Sequence, residues 1–461
     1  MHHTPRAIRT QQRFIHSQRA EGNCLSTFNL LTSDLLFDEV ERHLPQHRER
    51  LFPPTETLAM FVTQAMNSDR SCQQAVNQAA VHRLISGLPV CSTHTGGYCR
   101  ARQRLPLKMV SDLTRYLGQR IDQQLPEQWR WQGRRVRLVD GTTVTMPDTP
   151  ANQDAFPQQR SQTAGLGFPI CRVVGITCLS SGAVLNAAIG RFNGKGGDEQ
   201  TLLRSIQATL EAGDVLLGDA FFPTYFFIAK MQNQGVDILM EQQGARKRVS
   251  DFRRGKRLGS RDHLITLYKP KVKPDWMSET AYQAAPESLC VREFKANGKI
   301  MVTSMICPVL ASKSALKALY RQRWSVELDI RHIKDTMGMN VLSCKTPQMV
   351  IKEIWIYLLA YNLIRLLMVQ AAFKANIQAR EISFKHCLQL WLLWSRQADT
   401  TDESTLYAVC ELIAQQRVGN RPGRIEPRAV KRRPKAYPLL TIMRSLAREN
   451  VRIYGHPRKL K

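Results

Sequence analysis

At residue 134 the hydrophobic pattern changes from a helical to an extended period, and the order of elements beyond that point narrows the fold more than any other stretch. Arg135-Val-Arg-Leu-Val-Asp140 is a short strand-like run that ends in an aspartate and a glycine. Residues 170–178 and 183–192 are β-rich and joined by Ser180-Ser181-Gly182, which reads as a hairpin. Leu202, Leu203, Ile206 and Leu210 then recur at helical spacing. Val215-Leu-Leu-Gly-Asp219 is a second short buried strand, again ending in aspartate, and a helical run over 226–234 leads to a strand over 236–240. Apolar strands alternating with helices predict an α/β fold, a mixed sheet covered by helices. Ligand sites in such sheets favour strand ends, where Asp140 and Asp219 are expected.

The rest of the chain divides around this core. Residues 1–24 are polar and basic, an arm; 25–130 carry helical periodicity; 131–241 form the first part of the core. Residues 242–312 break the rhythm with a basic run that includes Arg246, then alternate in strand fashion around a hairpin at Asn297-Gly298, and are expected to be a β-rich insertion. Residues 313–400 return to helix and complete the core, and 401–461 form a helical, basic, proline-punctuated C-terminal region. Residues 354–373 approach membrane-spanning length, but Asn362 and Arg365 sit within them, so a buried core helix is expected.

Within 313–400, Tyr320, Arg323, Glu327 and Lys334 are separated by 3, 4 and 7 residues. At about 100° per residue these four fall within an arc of roughly 60°. Leu319, Val326, Ile330, Ile333 and Met337 form the adjoining apolar stripe, so the polar row borders the buried face of a helix. An ordinary surface helix with salt-bridge pairs has the same spacings, and the rest of the chain must decide.

Composition supplies one reason. The 461 residues carry a formal net charge of +28, a field that favours a polyanion. With no apolar signal segment near the start, an intracellular protein is expected, with nucleic acid rather than a membrane as its partner. Gly97-Tyr98-Cys99-Arg100-Ala101-Arg102-Gln103-Arg104 sets three arginines at alternate positions, and Arg100, Arg102 and Arg104 are read as phosphate contacts of a helical DNA-binding domain. The 11 cysteines are scattered without a Cys-x-x-Cys pair, and Cys91, His94 and Cys99 lack a fourth ligand, so buried reduced thiols are expected.

Asp140, Asp219 and Glu327 thus stand out as three carboxylates brought from different elements. Phosphodiester chemistry needs an attacking oxygen generated at neutral pH and a stabilised leaving oxygen, which two hard cations held by carboxylates provide. Magnesium fits as two ions, and manganese can substitute. Arg323 and Lys334 would clamp phosphates. Asp148, Asp154, Asp198 and Asp214 are rivals for the two aspartates; turns account for the first two, a helix N-cap for Asp198 and a turn after Gly213 for Asp214.

The row Tyr320-x2-Arg323-x3-Glu327-x6-Lys334, with Leu-Val-Asp140-Gly-Thr-Thr and Leu-Leu-Gly-Asp219-Ala-Phe-Phe, resembles the insertion element 4 family of bacterial DDE transposases. Tyr98–Pro106 and Arg421–Arg428 look like family segments at the two flanks. The resemblance implies a ribonuclease H-like, retroviral-integrase-like core interrupted by the β-rich insertion. It implies metal-dependent cleavage and strand transfer at terminal inverted repeats, with a homodimer expected on DNA. It assigns Tyr320, Arg323 and Lys334 to phosphates near the cleaved end. Trp324, beside this row, and Trp276 are candidates for stacking a flipped base. A departure is Ala220 after Asp219, where many relatives carry arginine. A catalytically inactive DNA-binding derivative and a stand-alone endonuclease are the alternatives.

Overall fold

The computed structural model describes residues 35–43, 51–85, 91–194, 196–242, 250–397, 403–419 and 440–455. Helices α1 (Leu35–His43), α2 (Pro54–Met66), α3 (Cys72–Ile85), α4 (Gly96–Arg104) and α5 (Leu107–Gln123) come first. In α5, Met109, Leu113, Leu117 and Ile121 recur every four residues and are fully buried. Gly118 on the same helix lies against the next layer so closely that a Cβ would stand 2.1 Å from the Val184 carbonyl oxygen. Only glycine lets this helix approach a strand backbone to that distance.

The core opens with β1 (Val136–Thr145), α6 (Pro150–Ala155), β2 (Ile170–Cys178), β3 (Val184–Arg191), α7 (Glu199–Ile206), β4 (Val215–Gly218), α8 (Tyr225–Asn233) and β5 (Asp237–Glu241). Strands β6 (Lys256–Gly259) and β7 (Asp262–Tyr268), helix α9 (Glu279–Ala284), and strands β8 (Ser288–Ala296) and β9 (Lys299–Thr303) come next. All nine strands lie in one sheet of order β3-β2-β1-β4-β5-β9-β8-β7-β6. β1 pairs antiparallel with β2 and parallel with β4, and β4 pairs parallel with β5. The segment read as an insertion continues this same sheet, because β9 pairs antiparallel with β5. Its hairpin turns at Asn297 and Gly298, both at positive φ, as a two-residue turn matched to strand twist requires.

The remaining helices are α10 (Lys313–Arg321), α11 (Trp324–Arg331), a π turn at His332–Thr336, α12 (Pro347–Lys374), α13 (Phe384–Gln397), α14 (Glu403–Gln415) and α15 (Arg444–Tyr454). The 28-residue α12 is the apolar helix noted above, and it is buried in the core between α5, α2 and α14. Its polar residues are satisfied there. Asn362 donates to the carbonyls of Thr114 and Val184 and accepts from the Val184 amide at 2.8 Å. Arg365 pairs with the buried Asp329 at 2.5 Å. Such complete pairing is what makes a polar group tolerable inside.

One expectation needs correcting. Asp140 does not end a strand, since β1 runs on to Thr145 and stays paired with β2 throughout, with Asp140 opposite Gly175. Its parallel pairing with β4 stops at Leu138, which faces Leu217. Asp140 therefore emerges where the parallel neighbour gives out, although its own strand continues.

Candidate active site

The register decides which residues meet at this place. Leu138 is level with Leu217; two residues on, Asp140 is still within β1, while Asp219 lies just past the end of β4. Asp140 is largely buried, and its Oδ1 accepts from the Gly141 amide at 2.8 Å. Asp219 sits in the turn after β4, where its Oδ1 accepts from the Phe221 amide at 2.8 Å. Burial pushes the Asp140 carboxyl up to about 6, and the negative charges of Asp219 and Glu199 add to that.

The row from Tyr320 to Lys334 closes the cleft from the other side, but not as one regular helix. Tyr320 lies on α10 and Glu327 on α11. Between them the chain tightens, with Arg323 N bonding to Tyr320 O and Val326 N to Arg323 O, both three residues back. Lys334 lies in the π turn, which loosens the coil in the opposite sense. The apolar stripe remains inward: Leu319, Val326, Ile333 and Met337 are buried, and Ile330 packs against the cluster that holds Leu319 and Val326.

Arg323 links the carboxylates. Its Nη2 donates to Glu327 Oε1 at 2.7 Å, while Nη1 stands 3.8 Å from Asp140 Oδ2. Tyr320 donates to the Gly218 carbonyl at 3.2 Å, next to Asp219, and burial raises its phenol to about 12. Lys334 Nζ donates to Thr142 Oγ1 at 3.1 Å and to the Thr143 carbonyl at 2.8 Å, both on β1. Trp324 is 52% exposed. Trp276 is 49% exposed and carries the Arg204 guanidinium 4.1 Å above its ring.

A fourth carboxylate that the spacing argument passed over stands here. Asp198 caps α7 by accepting from the Thr201 amide at 2.9 Å, which places Glu199 in the first turn. The Glu199 carboxylate occupies the space beside Gly141, where a Cβ would stand 2.5 Å from it. Arg172 Nε lies 3.7 Å from its Oε1, and burial, together with the charges of Asp219 and Asp198, raises its proton affinity. The sequence signal was an acid directly after a helix-capping aspartate.

Asp214 is fully buried in an ion pair with Arg137 at 3.1 Å, and Asp148 accepts from Gln153 at 2.8 Å. Arg100 and Arg104 are exposed on α4, whereas Arg102 is not the surface contact expected of it. It is only 8% exposed and its guanidinium lies 4.4 Å from the Phe61 ring centroid, because the middle of three arginines at alternate positions falls on the opposite helix face from the other two. Arg246 lies outside the described residues.

Among the described residues, no three acidic, histidine or cysteine side chains converge closely enough to hold a metal ion as they stand, because Glu327 is turned onto Arg323. The chemistry of the donors nonetheless suits a divalent cation. Asp140 is buried beside other negative charges with one guanidinium 3.8 Å away, so a hard cation on carboxylate oxygens relieves the repulsion.

Comparison with known proteins bears on what this cleft does. Residues 131–363, just over half of the chain, match the family model described as Transposase DDE domain. The chain is 25% identical over 405 residues to the transposase InsG for insertion sequence element IS4 of Escherichia coli strain K12, covering 85% of this chain and 88% of that protein. A cryo-EM structure of the piggyBac transposase synaptic complex with hairpin DNA aligns with a TM-score of 0.44 and 11% identity, covering 88% of this chain and 87% of that one. The matched segment holds Asp140, Asp219 and Glu327 together with the whole row from Tyr320 to Lys334, and the chain belongs to the DDE transposases of the IS4 kind, DNA transposases that cleave DNA and transfer strands.

Proposed function

We propose that Asp140, Asp219 and Glu327 are the catalytic carboxylates of this transposase, set in a ribonuclease H-like core built on β1 to β5. One observation carries the reading. Asp140 and Asp219 each follow the last β1–β4 pair, Leu138–Leu217, by two residues, and a single guanidinium, Arg323, bonds Glu327 and stands 3.8 Å from Asp140, which supports the reading. The three carboxylates would hold two magnesium ions, for which manganese can substitute, and such ions generate an attacking hydroxide and stabilise a leaving alkoxide.

The chain's own groups do the positioning. Lys334 stands at the cleft with its donors given to neutral oxygens of β1, for which an anionic phosphate oxygen is the stronger acceptor, and the Arg323 guanidinium has five N–H donors to share between Glu327 and a phosphate. Tyr320 braces the turn that presents Asp219 by bonding to Gly218. Trp324 offers an exposed ring on which a base can stack. Arg100 and Arg104 on α4 give the N-terminal helices a basic edge for backbone contact. The substrate is duplex DNA carrying the element's terminal inverted repeats, joined to target DNA by a homodimer in the bacterial cytoplasm.

Purified Asp140→Ala and Glu327→Ala variants should bind inverted-repeat DNA and fail to cleave it with magnesium. Cleavage by either variant at the wild-type rate would overturn the assignment.

A further inference from the structure

The loop between α2 and α3 carries one residue of the N-terminal helices onto the catalytic segment. Arg70 donates from Nη1 to the Met337 carbonyl at 2.6 Å. Its guanidinium also fills the place where a side chain at Gly338 would begin, since a Cβ there would stand 1.0 Å from Nη1. Gly338 has φ +86°, a conformation glycine adopts freely, and it follows Met337, the cap of the π turn in which Lys334 lies. The chain folds back at this point, with Met339 N bonding to Ile333 O and Asn340 N to Lys334 O. Arg70 therefore sits on the hinge of the segment that carries Lys334.

The line continues in both directions. Inward, Lys334 holds Thr142 and Thr143, two and three residues from Asp140 on β1. Outward, the Arg70 carbonyl accepts from Gln64 Nε2 at 2.6 Å. Gln64 Oε1 in turn accepts from the Tyr98 hydroxyl at 2.8 Å, on α4, the helix with Arg100 and Arg104 at its surface. Hydrogen bonds thus run from a basic helix of the N-terminal region, through Gln64 and Arg70, to the turn beside Lys334 and on to the strand of Asp140.

We propose that Arg70 is a positioning residue for DNA strand cleavage. It fixes the turn that holds Lys334 from the N-terminal helices, so that the seating of those helices on DNA sets where the Lys334 ammonium stands at the cleaved phosphate. The proposal rests on the reading of Lys334 as a phosphate contact.

The full-length protein and its Arg70→Ala, Arg70→Lys, Lys334→Ala and Arg70→Ala/Lys334→Ala variants test it on a duplex spanning the element end beside this reading frame. Binding is measured without metal, cleavage in single turnover with magnesium, and folding by thermal melts. Arg70→Ala is expected to bind within about threefold of wild type and to cleave at least about tenfold more slowly, with Arg70→Lys recovering part of the rate. In the Lys334→Ala background the same change should cost less than about twofold, because both act through one contact. Wild-type cleavage by Arg70→Ala, with Lys334→Ala slow, would overturn the proposal and leave the site reading in place. Wild-type cleavage by Lys334→Ala would instead remove that reading. Equal slowing by Arg70→Ala in both backgrounds would mark a general structural loss and also overturn the proposal. If Arg70→Ala does not fold, Arg70→Lys alone and with Lys334→Ala makes the same comparison.

Discussion

Replacing Asp140 by asparagine should make the metal-free protein more stable while removing its activity. The side chain is 18% exposed, and its carboxyl is pushed from 3.8 to about 6, by burial first and then by Asp219 and Glu199. A difference of about two pH units corresponds to about 3 kcal/mol between the protonated and ionised forms. Proton binding sets the sign. The folded protein keeps a proton that the unfolded chain releases near pH 4, so the wild type loses stability as pH rises from about 4 to about 6 and no further above that. Asparagine carries no charge and can still accept from the Gly141 amide, which Asp140 holds at 2.8 Å. It gives up the attraction of Arg323 at 3.8 Å, so a net gain of about 1–3 kcal/mol at pH 8 is expected, shrinking to near zero at pH 4. Urea unfolding of both proteins in chelator at pH 4, 6 and 8 measures this. Millimolar magnesium should then stabilise the wild type and leave Asp140→Asn unchanged, since a ligand stabilises only the form that binds it. A variant less stable than wild type at pH 8, or a difference that does not change with pH, would refute the reasoning.

Two further substitutions test the neighbours of this carboxylate. Asp329, fully buried two residues past Glu327, accepts from Arg365 at 2.5 Å and from Arg380 at 2.6 and 2.8 Å. Asp329→Ala leaves those guanidiniums without their carboxylate, at a cost of about 3–5 kcal/mol in urea unfolding, and a loss under about 1 kcal/mol would contradict the arrangement. Glu199→Gln removes one of the four charges around the cleft and should raise the magnesium concentration for half-maximal cleavage by about three- to tenfold; an unchanged or lower requirement would separate Glu199 from the site.

The sequence made legible whatever local spacing determines. The alternation of strand and helix over 134–240, the buried stripe through Leu319, Val326 and Ile333, and the capping of α7 by Asp198 all depend on near neighbours. The features it hid depend on pairing across long separations. Nothing in Arg135–Asp140 says that β2 will hold β1 extended to Thr145 while β4 releases it at Leu138. Likewise, the strands over 256–303 alternate as any β-rich insertion would, and only the β5–β9 pairing joins them to the central sheet. Arg102 was misjudged for the same reason. Its charge suggested solvent, but Phe61 and Tyr98 stack on it and Gln64 Oε1 lies 3.4 Å away.

The row from Tyr320 to Lys334 shows how a local argument can identify the right residues with the wrong geometry. Its 3-4-7 spacing is that of one helical face, yet the chain tightens at Arg323 and loosens from His332. An ideal helix is not what keeps the four side chains on the same side. Tyr320 reaches Gly218, Arg323 reaches Asp140, and Lys334 reaches Thr142 and Thr143. Each of these anchors lies at or within three residues of Asp140 or Asp219, while Glu327 is bonded to Arg323. The face is therefore held by contacts to the strand that bears Asp140 and to the end of β4 before Asp219, and the coil between adjusts its pitch to allow them.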